Sequence, residues 1–124
     1  MRQFSKYRFF NIIFIIALYS CTGKPRGNIA ENGKLPAIDP DYSGVTIPFN
    51  IAPLNFKITE EGIAFFARFS ADSKTIIETG SKDGIIVIPE GKWKKMLEEN
   101  KGRDFNIDIY LKDKKSGWSK FKTI

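Results

Sequence analysis

Between residues 54 and 124, large apolar side chains fall at every second position in one stretch after another, a pattern that commits a chain to half-buried strands. Leu54, Phe56 and Ile58 alternate with Asn55, Lys57 and Thr59, and Ile63, Phe65, Ala67 and Phe69 alternate with Ala64, Phe66 and Arg68. Glu60-Glu61-Gly62 lies between the two runs, and a glycine-containing turn in that place predicts an antiparallel hairpin. Thr75 to Thr79 and Gly84 to Ile88 are further β-rich runs, separated by Gly80-Ser81-Lys82-Asp83. Phe105, Ile107, Ile109 and Leu111 alternate with Asn106, Asp108 and Tyr110, and Lys112 to Gly117 turns the chain into a last strand from Trp118 to Ile124. The period changes only once. From Pro89 to Gly102, Met96 and Leu97 follow Trp93 by three and four positions among lysines and glutamates, which predicts a short amphipathic helix ended by Gly102.

Short strands with one helical crossover predict a mainly β domain, an immunoglobulin-like antiparallel β-sandwich with one short helix. The alternative is an α+β arrangement, an antiparallel sheet backed by one helix. Phe56, Phe65, Phe69, Ile86, Trp93, Leu97, Ile107 and Ile109 are the expected core. A composition of 42% hydrophobic, 14% aromatic and 27% charged residues suits such a domain and excludes a disordered tail, a collagen-like repeat and a multispan membrane protein.

The amino terminus follows a different rule. Arg2, Lys6 and Arg8 precede an almost unbroken apolar run from Phe9 to Tyr19, and small Ser20 precedes the single cysteine, Cys21. A charged, apolar and small-residue order is that of a secretory signal, and the run of about eleven residues is shorter than the roughly twenty a bilayer-spanning helix needs. Leu18-Tyr19-Ser20-Cys21 resembles a bacterial lipobox, so residues 1–20 are read as a lipoprotein signal peptide and Cys21 as the lipidated residue. Two or more acyl chains make such anchoring stable. Residues 21–37, with Gly23, Pro25, Gly27, Gly33 and Pro36 among polar neighbours, read as a flexible linker. Residues 38–124 read as the β-sandwich domain, opened by an extended strip that Pro40, Pro48 and Pro53 punctuate. The expected location is the bacterial cell envelope, lipid-anchored in the outer membrane and facing the periplasm.

The charge balance names no partner. Removing Arg2, Lys6 and Arg8 from 20 basic residues leaves 17 against 14 acidic ones, a surplus too small for a nucleic-acid field. Lys112, Lys114, Lys115, Lys120 and Lys122 surround Trp118, but lysines at a hairpin tip and sheet edge also guard against edge-to-edge association, and nucleic acid is not expected. Histidine is absent, which removes the usual general base and most zinc sites. Ser73 beside Lys74 and Ser81 beside Lys82 are the remaining nucleophile pairs, and adjacent side chains diverge on extended backbone. Glu60-Glu61 and Glu98-Glu99 read as solvated turn and helix surface rather than as a glycosidase pair. Asp39, Asp41, Ser43 and Gly44 begin a calcium-loop pattern, but its twelfth position is Asn50 where a bidentate glutamate is required, and an aspartate-capped turn is the expected form. No catalytic residue, cofactor or metal follows from the sequence, and enzymatic activity is not expected. Tyr42, Tyr110, Trp118 and Phe121 are the candidate contacts for a partner or a glycan.

The runs Asp39-Pro40-Asp41-Tyr42, Val45-Thr46-Ile47-Pro48 and Asn50-Ile51-Ala52-Pro53-Leu54-Asn55-Phe56 together resemble the opening of a family of bacterial lipoproteins with TolB-like β-propeller repeats, some labelled cytochrome c biogenesis proteins. The resemblance extends from about Asp39 to the end, and the proline-rich run is its most specific part. It implies a sandwich-like amino-terminal module followed by a propeller. This sequence stops at Ile124 before any propeller and has no haem-attachment Cys-x-x-Cys-His. The resulting expectation is a non-catalytic module, whole or truncated, that scaffolds or binds a propeller domain or another envelope protein. A glycan-binding domain of a surface uptake system is the alternative. A last strand without punctuation adds the expectation of an apolar patch or unpaired edge near Phe121 and Ile124.

Overall fold

The computed structural model describes residues 23–124, so the signal segment and the lipidation site at Cys21 lie outside the described residues. In chain order the elements are β1 (Ala30–Glu31), β2 (Ile38–Asp39), β3 (Phe56–Ile58), β4 (Ala64–Ala71), β5 (Lys74–Ser81), β6 (Ile85–Ile86), α1 (Glu90–Glu99), β7 (Asn106–Asp113) and β8 (Gly117–Lys120). Strands β1-β8-β7-β4-β5 form one sheet and β2-β3-β6 a second. All neighbouring strands are antiparallel except β1 and β8, which run parallel over two residues. The domain is mainly β, five strands against three, with α1 contributing to the same core.

Period-two alternation is what builds that core. The register pairs Phe65 with Leu111, Ala67 with Ile109 and Phe69 with Ile107, while Phe69 also faces Ile77 across the β4–β5 pair. These residues meet Phe56, Ile58 and Ile86 of the second sheet in one buried cluster, which Trp93, Met96 and Leu97 of α1 complete. All eight residues expected in the core belong to it. Pro89 occupies the position before the helix in an extended conformation, as a residue without an amide hydrogen can. At the other end the Asn100 side chain donates to the Met96 carbonyl at 2.8 Å, and Gly102 follows with φ +73°. The strip between β2 and β3 has no regular hydrogen-bond ladder, yet Tyr42, Ile47, Ile51 and Leu54 pack against the core, and the Trp93 indole donates to the Ile51 carbonyl at 3.0 Å.

The expected hairpin between the first two runs is corrected by the pairing. Strand β3 pairs with β2 and β6, whereas β4 pairs with β5 and β7, so Glu60-Glu61-Gly62 is a corner between sheets. Gly62 lacks a left-handed φ, and a Cβ there would stand 2.8 Å from the Leu111 Cγ, so the glycine permits a close crossing instead of shaping a hairpin turn. The first hairpin is β4–β5, turned by Asp72 and Ser73 at φ +48° and +63°. Aspartate tolerates that conformation better than most residues, which lets the turn form without glycine.

The residues read as a flexible linker are corrected in the same way. Ala30 and Glu31 pair with Ser119 and Lys120, Asn32 donates to the Lys120 carbonyl at 2.8 Å, and Lys122 donates to the Lys34 carbonyl at 2.9 Å. Glu60 receives the Ala37 amide at 3.1 Å and the Lys34 ammonium at 3.4 Å. At its start the segment is held by an ion pair between Lys24 and Glu78 on β5. Going from β5 to β1 crosses four strand spacings, roughly 19 Å at about 4.8 Å each. Six extended residue steps from Lys24 to Ala30 supply roughly 20 Å. The segment is therefore a strap drawn across the outer face of the larger sheet. On that face Phe66 and Tyr110, outside the main core cluster, are only 3% and 5% exposed, and Lys24 of the strap lines one depression with Phe66.

The strap also closes the edge expected to lie open. Phe121 is 1% exposed, and Ile124 is partly buried and exchanges backbone hydrogen bonds with Ile107 at 2.8 and 3.0 Å. The expected apolar patch near Phe121 and Ile124 is absent among the described residues.

Two substitutions test this packing. Trp93→Ala removes the largest wholly buried side chain and leaves the Ile51 carbonyl without its donor, and a loss of about 3–5 kcal/mol is expected in a denaturant titration. Gly84→Ala puts a Cβ 2.6 Å from the Ile58 carbonyl oxygen on a residue whose φ is +84°. It should cost about 1–3 kcal/mol, whereas Gly91→Ala, with open space around its Cβ, should not destabilise.

Candidate functional site

Two places on the domain gather side chains capable of recognition, and the first is the outer face of the larger sheet. The register sets Arg68 between Glu78 on one side and Asp108 on the other. Arg68 takes the first partner: its Nε donates to Glu78 at 3.1 Å and its Nη1 to the Tyr110 hydroxyl at 3.1 Å. The guanidinium also lies 5.5 Å from the Tyr110 ring centroid and 6.0 Å from that of Phe66, whose ring meets Tyr110 edge-on at 6.0 Å. Asp108 turns instead to Lys120 at 3.2 Å and to the Thr123 hydroxyl at 2.6 Å. The charges of this face are thus spent on one another and on the strap.

That geometry decides the fate of the aromatic candidates. Tyr110 is buried with Arg68 over its ring and Phe121 is core, so neither offers a free ring face. Trp118 is half-buried on the outer face with the Lys112 ammonium 6.0 Å from its ring. Tyr42 packs against the core from the strip, and its hydroxyl donates to the Asn55 carbonyl at 3.3 Å. The four are not brought together.

The second place was not singled out from the sequence. Phe49, 62% exposed, stands at the mouth of a hollow of about 290 Å³ between the strip and the carboxyl end of α1. Ile47, Met96, Leu97 and Phe105 give it an apolar lining, and Lys101 and Arg103 stand on its rim. The Lys101 ammonium lies 4.6 Å from the Phe49 ring centroid, and Arg103 pairs with Asp72 at 2.6 Å. Prolines on either side of the strip's apolar residues gave no period from which to assign Phe49 a face. Lys101 reaches it only through the tertiary fold.

The remaining candidates resolve into local structure. Asp41 accepts the amide and hydroxyl of Ser43 at 2.9 and 2.7 Å, an aspartate-capped turn whose hydrogen bonds hold its carboxyl below the usual range. Ser81 donates to Asp83 at 2.7 Å, and Ser73 stands in the β4–β5 turn. Among the described residues no three acidic, histidine or cysteine side chains converge as metal ligands do. Comparison of the chain with family models, with curated proteins and with solved structures returned no match.

The Glu78 carboxyl is held below its ordinary value near 4.5, first by the hydrogen bond from Lys24 and then by Arg68, against the opposing effect of burial. A folded-state value below the unfolded one makes this clamp fully present above the ordinary glutamate range and lost as pH falls through the lowered value. Strap protection should therefore persist from neutral pH down past about 4.5. Glu78→Gln at neutral pH should speed amide exchange at Asn32 while leaving the β4–β7 amides protected, at a global cost of at most about 1 kcal/mol for a partly exposed pair. Equal protection of Asn32 in both proteins would show that the ion pair does not hold the strap.

Proposed function

We propose that this chain is a non-catalytic module of the bacterial cell envelope, anchored through lipid on Cys21, that binds a partner protein through the Phe49 hollow. The observation that carries the reading is the contrast in exposure between aromatic side chains. Phe49 is the large aromatic offered to solvent beside an apolar hollow, while the rings that would form a sugar platform are covered or separated. Partner recognition concentrates on exposed aromatic anchors beside pockets, ringed by polar groups that exclude water. A flat, coplanar aromatic pair, as sugar stacking requires, finds no support in the positions of Tyr42, Tyr110 and Trp118.

The rim specifies the partner's chemistry. Arg103 is already paired with Asp72, so Lys101, whose ammonium lies over the Phe49 ring, is the rim cation that favours an apolar side chain flanked by an acidic residue. A propeller domain, implied by the resemblance of residues 39–56 to TolB-like lipoproteins, is the partner class to try first. The charged, apolar and small-residue order ending at Ser20-Cys21 supports lipid anchoring, and Lys24 and Arg26 after the cysteine, in place of an acidic cluster, support a periplasm-facing orientation in the outer membrane.

Mass spectrometry of the native protein is expected to show an amino terminus at Cys21 carrying acyl chains. An unmodified Cys21 would remove the anchor from the reading. The binding claim has its own test, in which Phe49→Ala and Lys101→Glu are compared with the parent for crosslinking in intact cells. Each variant should lose the parent's crosslinked partner while unfolding within about 0.5 kcal/mol of the parent, since both side chains lie at the surface. Retention of the same partner by both variants would place recognition elsewhere.

A further inference from the structure

The strap has a consequence for how an anchored domain would sit. It begins on the β5 edge, where Lys24, Thr75, Glu78 and Lys92 line a shared depression, so the first residues of the strap lie beside the amino-terminal turn of α1. Only Thr22 and Gly23 separate Cys21 from Lys24, and three extended steps span at most roughly 10 Å. A free linker of sixteen residues would let the domain rotate and lift away from its anchor. A strap pinned at Lys24 leaves no such slack.

The charges at this edge are unequal. Glu78 is neutralised by Lys24 and Arg68, and Glu90 in the first turn of α1 by Lys94, while Lys92 lines the same depression and Arg26 lies exposed on the strap. The geometry points to a membrane-facing surface at the β5 edge and the amino-terminal turn of α1, which rests on anionic phospholipid headgroups with Lys92 among them. The inference rests on the reading of Cys21 as the lipidated residue. Basic side chains near an anionic surface are attracted over about a Debye length, and a tether of at most roughly 10 Å to Lys24 holds the depression that Lys24 and Lys92 share close to the headgroups. The occupant is lipid because the anchor itself delivers this edge to the bilayer. The Phe49 hollow, at the carboxyl end of α1, is left away from it.

The test uses the acylated full-length mature protein in vesicles of phosphatidylethanolamine and phosphatidylglycerol, labelled with a membrane-impermeant amine reagent and mapped by mass spectrometry. Lys114 and Lys115, in the β7–β8 turn, serve as internal references. Lys92 should label several-fold more slowly than these references. A second protein with a long glycine-serine insertion between Gly23 and Lys24 keeps the fold and strap intact while restoring slack. In it Lys92 should label as fast as the references. Equal labelling of Lys92 and the references in the acylated parent would overturn the inference and leave the anchor standing, as would slow labelling that the insertion does not relieve. An unacylated Cys21 in the same spectra would overturn the anchoring reading and this orientation with it.

Discussion

The indole of Trp93 is the interaction on which the other parts of this domain depend. Its ring is wholly buried in the core that both sheets share, meets Phe105 edge-on at 6.0 Å, and uses its one polar group on the Ile51 carbonyl. That single side chain joins the helix, the segment entering β7 and the proline-punctuated strip. The strip cannot make a ladder of its own, because its prolines lack amide hydrogens and fix an extended course. It holds its place through side chains pressed on the core and through this hydrogen bond. The Phe49 hollow follows directly, since one of its walls is the strip and the other is α1.

A second constraint acts on the opposite side of the larger sheet. A five-stranded sheet has two faces, and this one places apolar or aromatic groups on both: Phe65, Ala67 and Phe69 inward, Phe66 and Tyr110 outward. The outward pair has no second sheet to cover it. Arg68 covers part of the rings with its planar cation while using its hydrogen bonds on Glu78 and the Tyr110 hydroxyl, which keeps a half-buried charge satisfied. The strap runs over the same face, where Lys24 lines a depression with Phe66. It docks at one end by an ion pair and at the other by two residues of parallel pairing, so its stability comes from several weak attachments rather than one strong one.

The core was legible because burial writes a period into sequence. Phe65, Phe69, Ile107 and Ile109 could be assigned from alternation alone, and Trp93 with Leu97 from helical spacing. Connections were less legible. Glu60-Glu61-Gly62 satisfies the composition of a hairpin turn, but the reason for Gly62 is the Leu111 side chain, which lies across the sheet corner and leaves no trace in local sequence. The strap was hidden for a related reason. Gly23, Pro25, Gly27 and Gly33 have the composition of a loose linker, yet its ordering depends on Glu78, Glu60 and Lys120, each far away in the chain. Phe49 escaped notice because its neighbours are prolines and polar residues, while Lys101 reaches its ring from the end of a helix about fifty residues later.

These two constraints together hold the Phe49 hollow and the start of the strap apart. The strap ties the start of the described chain to the β5 edge near Lys92, at the first turn of α1, and the hollow lies at the other end of the same helix. Ten helical residues span about 15 Å, so the two sites are held apart by a rigid rod that is itself locked into the core by Trp93, Met96 and Leu97. A domain attached through a flexible linker would present its hollow in every direction. On the reading proposed above, one attached through a strap held at Lys24 would keep its hollow at the far end of α1 from the point of attachment. The entropy of orienting such a module would then be lost once, on folding, rather than in each binding event. The same logic makes the Lys24–Glu78 pair matter beyond its small energy, because releasing it would return that orientational freedom without unfolding the core.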